Sequence, residues 1–255
     1  MIEKPTAALL RLYADKYETA DFLADDPSWF MHQVAGELNQ EAIAFLASSL
    51  SYGSRKQFFP KIQYLLDCSA GNVDGWIRSG DFVHDVPDTP ACYYRLYTFH
   101  VVHQLLVAYQ RLLNDYGSMG GYLQTEKCHT APEAVHAISR YFSACGIESV
   151  IPKDTRSACK RLCMYMRWMV RDHSPVDLGL WCKFIPKSSL IIPLDTHVLR
   201  VANELQLIRT HTSSMATALK LTEAMRTVFP TDPVKADFAL FGMGVNAKRG
   251  NKSNH

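Results

Sequence analysis

The chain has 255 residues, of which 47% are hydrophobic and 20% charged, and its formal net charge is +2 at pH 7. This length is enough for one large or two small domains with a sizeable core. No uninterrupted apolar run of about 18 residues occurs, so the sequence predicts no membrane span. The net charge is too small to identify a nucleic-acid-binding protein by itself, so any such role must depend on where the cations lie.

The N-terminal residues lack the basic start and apolar stretch of a secretory signal peptide, so we expect a cytoplasmic location. The seven cysteines include no Cys-x-x-Cys pair, and reduced thiols are expected rather than disulfides. No set of ligands with the spacing of a zinc or iron–sulfur site is complete, and no glycine-rich phosphate loop is present. The sequence therefore predicts neither a metal nor another cofactor.

Apolar residues recur at intervals of three or four along most of the chain, which is typical of amphipathic helices. Glycine and proline residues separate the helical segments from one another. The predicted helices cover residues 6–20, 40–50, 56–67, 97–116, 132–145, 155–171, 196–207, 214–229 and 234–243. The pattern predicts an all-α protein of about nine or ten helices, followed by a disordered polar tail at 246–255.

The predicted helix over 155–171 carries a row of cations that we call the basic stripe: Arg156, Lys160, Arg167 and Arg171. At about 100° per residue these four side chains fall within roughly 60° of one another, and apolar residues occupy the opposite side. One interpretation is an ordinary solvated face. Because no acidic residue lies four positions away to neutralise the stripe, the other interpretation is a partner that carries phosphates.

Lys160 of this stripe is a candidate amine nucleophile. A lysine acts in that way when burial or neighbouring cations favour its neutral form, and the stripe surrounds Lys160 with arginines. An amine of this kind beside a carboxylate is the pair needed to attack C1′ of a nucleotide, with the carboxylate stabilising positive charge on the sugar.

Asp195 is the candidate carboxylate. It follows an apolar lead-in and Pro193, and it precedes an amphipathic helix, so we expect it at the helix N-cap. A plain helix cap is one interpretation of this position. The other is a catalytic carboxylate, because the N-terminus of a helix favours a negative charge and holds it on a rigid element.

Three segments in order, 40–66, 155–171 and 193–207, resemble landmarks of the helix-hairpin-helix DNA glycosylase superfamily. The segment 193–198 is close to that superfamily's Pro-Val-Asp-Thr-His-Val, whose aspartate is catalytic. The segment 159–171 resembles an uncharacterised bacterial family distantly related to endonuclease III and to the 8-oxoguanine glycosylases, among which the archaeal type is nearest.

This resemblance implies a two-lobed helical bundle with a cleft between the lobes, formed by the whole chain as one glycosylase-like unit. The expected lobes are 40–150, similar to a six-helix barrel, and 1–39 together with 151–245. The segment 45–55 resembles the part of 8-oxoguanine glycosylases that carries a wedge residue and a base-contacting arginine.

The resemblance and the stripe together imply a set of site residues. Lys160 and Asp195 would be catalytic, and Trp168 and Trp181 would stack on a flipped base, although core packing is the alternative for Trp168. The expected DNA contacts are Arg55, Leu50, Tyr52, Arg156, Arg167, Arg171, Lys153 and His197. Leu50 or Tyr52 would be the wedge, and the alternative is that Leu50 belongs to the core and Arg55 to a solvated loop.

The superfamily's Leu-Pro-Gly-Val-Gly hairpin is replaced here by 151–156, which contains no glycine. Aligned from Pro152, the catalytic-lysine position falls on Ser157. Lys160 matches that position only if the hairpin is about three residues longer. With the longer hairpin Lys160 is the nucleophile, and otherwise the protein is monofunctional or inert.

The sequence as a whole favours a monomeric DNA-repair glycosylase with β-lyase activity, which excises an oxidised purine such as 8-oxoguanine from double-stranded DNA. In a bacterium such a protein would associate with the nucleoid. The alternative is a non-catalytic DNA-binding module on the same fold, which would use the basic stripe for phosphates alone.

Overall fold

The computed structural model of the protein describes residues 2–250. Within that range the chain is mostly helical, with one short antiparallel hairpin. The helices are α1 (Lys4–Tyr17), α2 (Glu37–Leu50), α3 (Arg55–Cys68), α4 (Val73–Ser79), α5 (Phe82–Asp85), α6 (Phe99–Tyr116), α7 (Met119–Thr125), α8 (Ala131–Ala144), α9 (Lys160–Val170), α10 (Thr196–Glu204), α11 (Met215–Arg226) and α12 (Ala236–Gly250). The strands are β1 (Cys92–Tyr94) and β2 (Tyr97–Thr98). The predicted all-α class is confirmed.

Each of the nine predicted helices is present, but three further helices, α4, α5 and α7, were not predicted. They are too short to show a helical period in the sequence. In addition, α4 lies between Gly71 and Gly80, and α7 contains Gly120 and Gly121, so glycine-rich stretches that indicate loops include helical turns here.

The largest differences in helix ends are at the start of α9 and the end of α12. The predicted helix over 155–171 begins only at Lys160. Helix α12 continues to Gly250, within the first half of the predicted disordered tail, and residues 251–255 of that tail lie outside the described residues.

The chain divides into two compact units. Within the described residues, the first unit comprises the chain up to Phe22, the short segment Thr130–Pro132 and the chain from Thr155 onward. The second comprises Leu23–His129 and Glu133–Asp154. No described helix is both long enough and apolar enough to cross a lipid bilayer.

In the second unit α2 is the central helix, because every residue from Glu41 to Leu50 is buried. The ring of Phe45 packs 4.5 Å from that of Tyr109 and 5.0 Å from that of Phe142, measured between centroids. The buried carboxylate of Glu41 accepts hydrogen bonds from the backbone N–H groups at the start of α7, at 2.6 and 3.1 Å. The N-terminus of α7 therefore stabilises the one charge in this helix's buried stretch.

In the first unit α9 holds the corresponding position, since every residue from Leu162 to Val170 is buried. Helices α1 and α10 both pack against α12. A helix buried on all sides needs apolar or internally paired side chains around its whole circumference, and α9 has both.

Candidate lysine–aspartate site

Asp195 is the N-cap of α10, as the sequence predicts. Its backbone is extended, and its Oδ1 accepts hydrogen bonds from the backbone N–H groups of His197 at 2.9 Å and of Val198 at 2.8 Å. The lead-in to Asp195 is held by a hydrogen bond from the Ile192 N–H to the Thr222 hydroxyl at 3.0 Å. The carboxylate is therefore held by the first turn of α10, and the segment that precedes it is held by α11.

Lys160 begins α9 and lies beside this carboxylate. Its Nζ is 3.8 Å from Asp195 Oδ2, the oxygen opposite the one that receives the two cap hydrogen bonds. The side chains of Lys160 and Asp195 are 37% and 35% exposed. At that exposure the ion pair contributes at most about 1 kcal/mol to stability, and both groups can be reached from solvent.

The loop before Lys160 is tied to the start of α11. Ser157 pairs with Ser214 in an isolated antiparallel bridge, and the Met215 N–H donates to the Arg156 carbonyl at 3.3 Å. Cys159 then takes a left-handed backbone conformation, φ 44°, as the residue that precedes the helix. The structure therefore brings Lys160 to Asp195 and places Ser157 in the bridge to Ser214.

Behind this pair lies a buried ion network that we call the arginine network: Arg167, Arg171, Asp177, Asp237, Asp232 and Glu18. Arg167 donates from Nε to Asp177 at 3.2 Å and from Nη1 to Asp237 at 2.5 Å. Arg171 donates to Asp177 at 2.5 Å, to Asp232 at 2.8–3.1 Å and to Glu18 at 2.7 Å. The two guanidinium groups are only 3% exposed, so four carboxylates replace the water that they lose.

The two guanidinium groups also share an aromatic neighbour. Their central carbons lie 4.7 Å (Arg167) and 5.3 Å (Arg171) from the centroid of the Phe238 ring. Phe238 is fully buried. A desolvated cation near a ring is attracted by it, so Phe238 contributes to the network as well as to the core.

The pKa values of the network follow from burial and from the excess of carboxylates. Burial raises the pKa of Asp237 from its ordinary carboxyl value. The nearby charge of Asp195 acts in the same direction, and Arg167 and Lys160 oppose it. Burial also raises the pKa of Asp177, against the effect of both arginines. For Arg171, burial lowers the pKa, but Asp177, Asp232 and Glu18 outweigh it and raise the pKa of the guanidinium.

These contacts show that the predicted basic stripe is wrong. Arg156 lies outside α9, and Arg167 and Arg171 point into the first unit, where acids that are distant in the sequence neutralise them. The stripe was predicted from the absence of acids on the same helix, whereas the acids that pair with it lie on other segments. Arg167 and Arg171 are therefore removed from the predicted DNA contacts.

The structure also corrects both predicted base-stacking residues. Trp168 is fully buried, and Trp181 is 2% exposed. The ring of Trp181 packs edge-on against that of Tyr165 at 5.2 Å between centroids. Neither indole presents a face to solvent, and the alternative of core packing is correct for Trp168.

Of the two predicted wedge residues, Leu50 is wrong because it is fully buried at the end of α2. Tyr52 is 38% exposed and stays a candidate, and Arg55 is exposed at the start of α3. Lys153 and Arg156 are also exposed, and His197 is exposed in the first turn of α10.

Asp177 and Asp237, which pair with Arg167, were not predicted from the sequence. Each lies near the end of an otherwise apolar segment, and an acid in such a position indicates a buried carboxylate that is paired with a cation.

The described residues thus form a mostly helical protein in which a solvent-reachable lysine–aspartate pair lies near a buried arginine network. The family model described as "Protein of unknown function (DUF2400)" matches residues 26–246. The chain belongs to that family. No curated protein and no solved structure matches the chain.

Proposed function

We propose that this protein is a DNA-repair glycosylase with β-lyase activity, in which Lys160 is the nucleophile and Asp195 its carboxylate partner. The observation that supports this proposal is the 3.8 Å approach of Lys160 Nζ to Asp195 Oδ2. DNA as the substrate, and the two-lobed bundle as the fold, rest on the resemblance of 193–198 and its neighbouring segments to the helix-hairpin-helix glycosylases.

The positions of the two side chains suit a covalent mechanism. Each is anchored at a helix N-terminus, Asp195 by its cap hydrogen bonds and Lys160 by the bridged loop that precedes α9. Each is also about one-third exposed, so a sugar can approach without opening the core. Rigid positioning of both groups lowers the entropy cost of reaching the transition state.

In the proposed reaction the target nucleotide is first extruded from the duplex, which costs a few kcal/mol of lost stacking and pairing. The ammonium group of Lys160 first gives one proton to solvent, the resulting amine attacks C1′, and the bond from C1′ to the base breaks. The bonding electrons leave with the base, which takes up a proton. Asp195 stabilises the positive charge that develops on the sugar.

Opening of the sugar ring then converts the new C1′–N bond into a Schiff base on Lys160. Loss of a C2′ proton expels the 3′ phosphate, which is the β-lyase step. The proposed target, an oxidised purine such as 8-oxoguanine, rests on the resemblance of 45–55 to the 8-oxoguanine glycosylases. A monomer acting on DNA in this way would lie with the nucleoid in a bacterium.

A non-catalytic DNA-binding module is the second candidate. It is favoured by the distance itself, since 3.8 Å is also the separation of an ordinary ion pair in which each charge simply neutralises the other. In that case the exposed cations would bind phosphates without regard to damage, and binding would weaken steeply with salt.

Borohydride trapping separates the two candidates. Wild-type protein is incubated with duplexes that carry 8-oxoguanine, uracil or an abasic site, and the Schiff base is reduced to a stable cross-link. We expect a covalent band with wild type and none with Lys160→Gln, and the dependence on the lesion then identifies the substrate. A matched control is Lys187→Gln, because Lys187 forms a similar pair with Asp172 at 2.5 Å and is 33% exposed.

A band that persists in Lys160→Gln, or that is lost equally in Lys187→Gln, contradicts the proposed nucleophile. If no duplex gives a band while all are retained in a gel shift, the lysine nucleophile is excluded, and the protein is either the DNA-binding module or a monofunctional glycosylase.

A further inference from the structure

The tip of the β1–β2 hairpin belongs to the second unit. In the sequence it is far from Lys160 and Asp195, which belong to the first unit. The two central residues of the tip are Arg95 and Leu96, and the flanking pair Tyr94 and Tyr97 closes the hairpin. Leu96 is 76% exposed. A leucine as exposed as this at the end of a turn adds nothing to the core, so its side chain is available to a partner.

Buried tyrosines hold the hairpin firmly against the rest of the unit. The Tyr93 hydroxyl donates to the Lys61 carbonyl of α3 at 2.6 Å, and the Tyr94 hydroxyl donates to the Leu50 carbonyl at the end of α2. The Tyr97 ring lies 6.1 Å from the Tyr52 ring, measured between centroids. Leu96 is therefore presented on a rigid support, which lowers the entropy cost of binding.

Arg95 connects the hairpin tip to the loop between α2 and α3. Its guanidinium lies over the Tyr52 ring, 5.0 Å from the centroid, and its Nη1 donates to Gln57 at 3.0 Å. Gly53, at φ 89°, makes room for it, because a Cβ there would lie 2.8 Å from Arg95 Nη1. The exposed Tyr52 ring and the flat guanidinium thus form one continuous surface, and Leu96 follows Arg95 at the tip of the same hairpin.

The charged side chains that contribute to this surface are all cations. We call it the hairpin-tip surface: Tyr52, Arg55, Lys56, Arg95 and Leu96. All five side chains are exposed. The segments that form it, 51–63 and 91–99, contain no aspartate or glutamate. A partner that fits must therefore offer negative charges around an apolar slot, and stacked base pairs flanked by phosphates have this chemistry.

We propose that the hairpin-tip surface binds duplex DNA and that Leu96 enters the base stack, with Arg95 and Tyr52 against the strand beside it. This inference shares with the proposed function only the assumption that the partner is duplex DNA. It assigns the insertion into the base stack to Leu96, in the turn between β1 and β2, and not to Leu50, which is buried at the end of α2.

The test uses full-length protein and a duplex with a tetrahydrofuran abasic analogue, which cannot form a Schiff base, next to a 2-aminopurine. Fluorescence of 2-aminopurine rises when the base loses its stacking partners. We expect wild type to raise the fluorescence and Leu96→Ala to abolish the rise, with binding about tenfold weaker. Leu96→Phe should restore the rise, because a phenyl ring can also enter the stack, whereas Leu96→Asn should not.

The matched control is Leu12→Ala on α1, since Leu12 is also a strongly exposed leucine, at 63%. It should bind and unstack as wild type does, and all four variants should keep the wild-type melting temperature. The inference is overturned if Leu96→Ala keeps the fluorescence rise, if wild type binds without causing one, or if wild type does not bind the duplex.

The outcome is independent of the trapping experiment. A trapped band together with a Leu96→Ala protein that behaves as wild type retains the glycosylase and removes the insertion. Leu96-dependent unstacking without any trapped band retains the insertion on a non-catalytic DNA-binding module.

Discussion

The two ends of α9 carry the same kind of side chain in opposite environments. At the first residue, Lys160 is about one-third exposed and lies 3.8 Å from one carboxylate. At the other end, Arg167 and Arg171 are almost fully buried and share four carboxylates at hydrogen-bond distance. Cations that share one helical spacing thus have two roles: Lys160 is open to solvent and available for chemistry, whereas Arg167 and Arg171 are structural. Only the acidic partners on distant segments distinguish the two roles.

The largest effect that would test this contrast is on stability. Arg171→Met leaves buried carboxylates without their cation and should lower the free energy of unfolding by about 3–5 kcal/mol. Lys160→Met, at the exposed end, should change it by less than about 1 kcal/mol. Chemical denaturation of both variants measures the difference. Equal losses would mean that the two ends of α9 do not differ as described.

A smaller effect is expected at the cap of α10. Asp195→Ala removes the acceptor for two backbone N–H groups and should cost about 1 kcal/mol of unfolding free energy. Asp195→Asn keeps a good capping side chain and should stay near wild type in stability, yet it lacks the charge and should lose borohydride trapping as Asp195→Ala does. Denaturation and trapping on the same two proteins separate the two roles. Full trapping by Asp195→Asn would show that the aspartate is a cap alone.

The smallest effect we expect is a pH dependence from Asp237. Its pKa is raised in the folded protein, so its stabilising contribution is complete below the ordinary carboxyl pKa, near 4, and is lost as the pH rises through the folded value. The stability of wild type relative to Asp237→Asn should therefore fall as the pH rises from about 4. Unfolding free energies of both proteins at several pH values measure this slope, and a slope of the opposite sign would mean that Arg167 keeps the carboxyl ionised throughout.

Much of the local structure was predictable because it depends on neighbours in the chain. Helical periodicity located the long helices, and Asp195 after Pro193 identified its own cap. The resemblance also directed attention to Lys160 and Asp195, although an alignment from Pro152 pointed equally to Ser157. Only the fold showed that Lys160 begins α9 beside the carboxylate.

The errors share one physical cause, which is burial decided by contacts between segments. The arginines of the basic stripe were placed by helical phase, which describes one helix at a time, and Trp168 and Leu50 were assigned from the resemblance of short segments. Helices α2 and α9 are buried on all sides, so phase did not separate an inner face from an outer one. Arg171 is neutralised by Glu18 and Asp232, which lie far from it in sequence, and no pattern within α9 could reveal them.

The sequence by itself therefore determined the helical class, the positions of the long helices and the capped aspartate, because short-range hydrogen bonds and apolar spacing decide these. The tertiary structure alone decided which cations are buried, that Lys160 meets Asp195, and that Arg95 of the hairpin lies over the Tyr52 ring. These outcomes depend on contacts between distant segments, where burial makes an unpaired charge costly and leaves the exposed groups free for a partner.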